Sequence, residues 1–67
     1  MTISPSHIDR AFQAQVAVFS PLPAQDLVIA LRSWVLTAEQ SIEDGSMHTF
    51  ALMMVKWLTD RIVSLLT

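Results

Sequence analysis

Ile42-Glu43-Asp44-Gly45-Ser46-Met47 contains the only glycine in a chain of 67 residues, and its reading decides the fold. On either side of it, apolar residues recur at spacings of three and four, the period of a helix rather than the alternation of a strand. Upstream the arc is Ala24, Leu27, Leu31, Trp34, Val35, Ala38 and Ile42; downstream it is Met47, Ala51, Met54, Val55, Leu58, Ile62, Leu65 and Leu66. Gly45 suits the left-handed position just past a helix C-terminus, and Ser46 suits the N-cap of the helix that follows. The sequence therefore predicts helices over about 23–43 and 47–66, each about 30 Å long at 1.5 Å per residue. A turn as short as Asp44-Gly45-Ser46 makes them an antiparallel hairpin of matched length.

Working toward the N-terminus, Ser20-Pro21-Leu22-Pro23 breaks the chain again. Each proline lacks a backbone N–H and disfavours α conformation in the residue before it. A first helix is expected over about 6–19, with Ile8, Phe12, Val16 and Phe19 on one side and Asp9, Arg10, Gln13 and Ala17 on the other. Its start is read in two ways: Ser4 as N-cap before Pro5, or Ser6 as N-cap with Asp9 as the acidic member of a capping box. Asp9 in the first turn also suits the helix dipole. Val16-Ala17-Val18-Phe19 has the look of a short strand, but nothing elsewhere offers it a pairing partner. The fold class is all-α, three helices in one small domain over residues 1–67, and the first helix, about 21 Å long, covers only part of the hairpin.

Composition narrows the classes of function. A third of the residues are Leu, Ile, Val or Phe, well above the level at which chains stay disordered. A domain of this size gains little from its own core and usually needs disulfides, a metal or a partner. There is no cysteine, which removes disulfides and thiolate zinc sites. His7 and His48 alone make a poor metal set, so no cofactor is expected. Net charge is −2, and Arg10, Arg32, Lys56 and Arg61 are scattered, a weak basis for neutralising phosphates. The mean hydropathy of +0.47 raises the membrane question. Yet the 47–67 stretch is interrupted by Lys56, Asp60 and Arg61, and the 11–24 stretch by Pro21 and Pro23, so neither reads as a span. No basic region leads into an apolar run near the N-terminus, and the cytosol is the expected location.

Surplus apolar residues are the most informative feature. Ile29 and Leu36 lie opposite the main arc of the second helix, one heptad apart; Leu52 and Val63 lie on the far face of the third, with Phe50, Met53 and Trp57 along its flank. These seven residues form the candidate interface. Single exposed apolar residues are normal, but a patch beyond a few hundred Å² is a contact surface. Hence the expected function is a non-catalytic helical protein–protein interaction module, a small accessory, adaptor, chaperone or regulatory protein. It self-associates as a homodimer, or docks another protein, with two hairpins forming a four-helix core and the first helices as outer braces. Met47, Met53 and Met54 suit an adaptable surface, though methionine is more often core filler. Glu39, Glu43 and Asp44 crowd a helix C-terminus whose dipole favours cations, and Arg61 is placed to reach an acidic group across an interface.

No catalytic pattern appears. His48 stands near Glu43 and Asp44 in sequence, but acid–base catalysis or metal binding needs a nucleophile with a base, or three or four convergent ligands. No Gly-rich phosphate loop, HExxH, GxSxG or EF-hand motif is present, and the chain reads as a non-enzyme. Two alternatives from other classes are a peripheral membrane protein anchored by the 47–66 helix and a dimeric DNA-binding regulator.

Overall fold

Two prolines set the first boundary. The computed structural model describes the backbone of residues 5–67 and the side chains of 7–67. In it α1 spans Pro5–Phe19, α2 Ala24–Gln40 and α3 Gly45–Leu66. At the end of α1 the Ser20 amide donates to the Val16 carbonyl at 2.8 Å and its hydroxyl donates to the same oxygen at 2.7 Å. Pro21 then stops the ladder, and Leu22 N–H closes a turn onto Phe19 O at 3.1 Å. Pro23, extended at φ −70° and ψ 163°, is the N-cap of α2 rather than its first residue. Asp26 in the first turn of α2 faces the positive end of the dipole.

α1 begins at Pro5, which leaves Asp9 just past the first turn. The Ser4 and Ser6 caps lie outside the described residues and side chains.

The hairpin link departs from expectation. α2 stops at Gln40, not at 43, and α3 starts at Gly45, not at 47. Gly45 does not adopt the left-handed conformation; no described residue has positive φ. It is the first residue of α3, and the N-cap is Asp44, not Ser46: Asp44 Oδ1 accepts from Met47 N–H at 3.2 Å. The acidic residues that looked misplaced at the end of α2 are thereby explained in part. Asp44 belongs to the start of α3, where the dipole favours it. Ser41, Ile42 and Glu43 form the turn, with Asp44 N–H on Ser41 O at 2.9 Å.

The hairpin carries the core. Leu27, Met54 and Leu58 are fully buried, with Ile62 beside them. Phe12, Phe19, Leu22, Leu31, Trp34, Phe50 and Trp57 pack around this cluster, and the Trp34 and Phe50 rings meet at 5.4 Å, tilted by 51°. Ala38 and Ala51 are buried nearer the turn. The outer ends of the expected arcs are not inside: Ile42 is 70% exposed and Leu66 74%, while Val35, Met47 and Leu65 are exposed as well. Ile42 falls in the turn past α2, and α3, at 22 residues against 17 for α2, is longer than the helix it pairs with.

α1 runs parallel to α3. Its first half meets the start of α3, where Ile8 and Ala11 share a depression with Ser46, Met47 and Phe50. Its end reaches the second half of α3, where Arg61 Nη2 donates to Ser20 O at 3.2 Å. The bundle is therefore up-down-up, with extents of 41 × 23 × 15 Å.

Candidate functional site

Because α1 sits over one flank of the hairpin, the opposite flank is open. A depression of about 280 Å³ runs there between α2 and α3, walled by Val35, Ile42, Leu52 and Val55, with Glu39 and His48 at its rim. A second, of about 310 Å³, lies against Leu31, Arg32, Val35 and Leu36. The two adjoin at Val35 as a trough in two parts along α2. Val28 and Val35, both exposed, stand seven residues apart on α2, and the exposed Ile42 follows at the same spacing in the turn.

His48 holds the turn end of this trough. Its imidazole lies 2.8 Å from Ala38 O through Nδ1, and since a carbonyl only accepts, Nδ1 carries the hydrogen. The contact with Glu43 or Asp44 that the sequence brings to mind is not made. The Asp44 carboxylate serves Met47, and His48 touches Asp44 only through its own backbone N–H, at 2.8 Å from Asp44 O. The Ala38 carbonyl also receives Ser41 N–H and the Ser41 hydroxyl, each at 3.4 Å. A helix end with no glycine is thus closed by a donor from the next helix.

Four other hydroxyls, like that of Ser41, are spent on their own backbone: Ser20 on Val16 O, Thr37 on Ser33 O, Thr59 on Val55 O and Thr67 on Val63 O. Arg61 does not point outward to meet a partner's acid. Its guanidinium ties the α1–α2 turn to α3, and its Nε is buried without a hydrogen-bond partner. Among the described residues no group of three or more His, Cys, Asp or Glu could hold a metal ion. Among them, too, no helix is long and apolar enough to cross a membrane.

The seven interface candidates fall into two sets. Ile29, Leu36, Leu52 and Val63 are exposed. Phe50 and Trp57 instead pack on the core, and Met53 is half-buried. At 100° per residue Phe50, Met53 and Trp57 share the α3 flank that α1 approaches, which is why the first helix hides them. Missed from sequence were Val28, Val35 and Ile42. Their spacing of seven, with Arg32 and Glu39 beside it, is the available signal, but the helical projection places Val35 and Ile42 on the interior arc. No known protein family, curated protein or solved structure matches the chain.

Proposed function

We propose that this chain is a non-catalytic helical interaction module of the cytosol, which self-associates through the hairpin flank that α1 leaves open. The observation that carries the reading is the pair of apolar depressions that adjoin at Val35. A pocket for a small molecule would need convergent polar groups to orient its ligand. This trough is shallow and apolar, with polar groups only along its edges, which is the anatomy of a protein contact with a dry centre and a charged rim.

Sedimentation equilibrium at micromolar concentration tests it. A mass of twice the 7.5 kDa monomer is expected. The double variant Ile42→Glu/Leu52→Glu should reduce it to that of one chain while leaving helical content unchanged, since both positions are exposed. A wild-type chain that sediments as a monomer across the range would remove the self-association.

A further inference from the structure

Resting on the self-association proposed above, we infer that the occupant of the open flank is a second copy lying antiparallel, α2 against α2, about a two-fold axis near Val35 and Leu36. Three observations converge on this arrangement.

The first is area. A folded monomer of 7.5 kDa exposes about 4200 Å² by the usual size scaling, whereas this chain exposes 4828 Å². The excess, roughly 600 Å², goes with an elongated body of 41 × 23 × 15 Å that leaves more surface open than a compact chain of its size.

The second is shape. Val28 and Ile42, both exposed, stand seven residues to either side of Val35 in sequence, Val28 on α2 and Ile42 in the turn just past its end. An isologous contact sets the same patch against itself, residue i on residue j and j on i. With the axis at Val35, Val28 of each copy falls beside the partner's Ile42, and Val35 lies next to its own counterpart.

The third is charge, and it fixes direction. Arg32 and Glu39 line the same trough, one on each side of Val35. Both are exposed, and among the described residues neither forms an ion pair within the chain. They are one heptad apart, about 10.5 Å along α2, too far to pair with each other. In the antiparallel arrangement each Arg32 stands beside the partner's Glu39, giving two equivalent opposite-charge pairs on the rim. In a parallel arrangement the two-fold axis runs along the helices and carries the Arg32/Glu39 edges of the two copies to opposite rims. Neither pair forms in that alternative, so the pairing favours the antiparallel one.

The chain has no native cysteine, so single-cysteine variants report the geometry directly. Val35→Cys is expected to form a disulfide-linked dimer under mild oxidation. Val28→Cys and Ile42→Cys are each expected to stay unlinked alone and to link when mixed. Charge reversal supplies an independent readout in full-length protein. Arg32→Glu and Glu39→Arg should each weaken dimerisation on the order of tenfold, because each converts both pairs to like charges. The double reversal Arg32→Glu/Glu39→Arg should return it to within about twofold of wild type. Self-linking of Val28→Cys and of Ile42→Cys would overturn the antiparallel register. So would a double reversal as weak as the single ones. If none of the three cysteines links in protein that sediments as a dimer, this geometry falls while self-association stands. A monomer in sedimentation removes both.

Discussion

The His48 imidazole reaches ten residues back across the hairpin turn and donates through Nδ1 to Ala38 O at 2.8 Å. Ala38 is buried and lies in the last turn of α2, where carbonyls have no partner within their own helix. One side chain of α3 therefore completes α2 and fixes the spacing of the two helices at the turn.

Replacing His48 by Ala removes this donor and leaves Ala38 O with two longer contacts from Ser41. A loss of about 0.5–1.5 kcal/mol is expected, seen as a fall in Tm of roughly 4–8 °C per kcal/mol in a domain this small. Amide exchange should speed up first in the final turn of α2. A variant that melts with wild type would show the bond to be dispensable.

At the start of α3 the sequence and the structure assign the cap to different residues, and mutation separates them. Asp44→Ala should cost about 1 kcal/mol, since Oδ1 accepts from Met47 N–H at 3.2 Å. Asp44→Asn should lose only a few tenths, retaining a side-chain oxygen. Ser46→Ala should be close to neutral. Denaturant midpoints in the reverse order would restore Ser46 as the cap.

Gly45→Ala gives the sharpest contrast in sign. A glycine held in the left-handed region would be damaged by a Cβ, but Gly45 is helical, without positive φ, and a Cβ there meets nothing within 4 Å. The substitution should stabilise by about 0.4–1 kcal/mol, mostly by reducing the freedom of the unfolded chain. A drop in thermal midpoint on making this change would contradict the turn geometry.

Leu58 and Met54 are both fully buried in the same cluster, yet substitution should affect them very differently. Leu58→Ala leaves a cavity and should cost about 2–5 kcal/mol. A single core at this size supplies only about 3–5 kcal/mol in total, so the variant should be largely unfolded by circular dichroism at 25 °C. Met54→Leu nearly preserves volume and should cost less than about 1.5 kcal/mol. Equal losses in the two would mean that packing at Leu58 does not hold the hairpin together.

The helices were legible because period and proline are local signals. Pro21 and Pro23 end α1 and admit α2 whatever surrounds them, and Leu27, Met54, Leu58 and Ile62 keep a helical rhythm on the arcs assigned to them. The link was misread for an equally physical reason. Gly45 fits a helix end and a helix start alike, and the deciding group is the Asp44 carboxylate, whose preference for Met47 N–H is visible only once the backbone is placed. Which flank stays open depends on where α1 docks. Nothing in the 100° projection of α2 alone tells Val35, at the edge of the trough, from Leu31, half-buried against the core. Phe50 and Trp57 likewise read as surplus until Phe12 and Phe19 approach the same cluster.

The parallel course of α1 and α3 also bears on the order of events in time. α2 and α3 meet across a four-residue link, whereas Ile8 and Phe50 share a depression though about forty residues of chain separate them. Closing the shorter loop costs less entropy, so the hairpin forms first and α1 docks on a surface already made. Pulse-labelled amides of α1 should accordingly gain protection after those of Leu27 and Leu58; simultaneous protection would contradict that sequence. During synthesis α1 leaves the ribosome before α2 and α3 and is therefore the last of the three to find its place. Until the final turns of α3 emerge, Phe12 and Phe19 have no finished core to cover, and they stay exposed while α2 and α3 are being made.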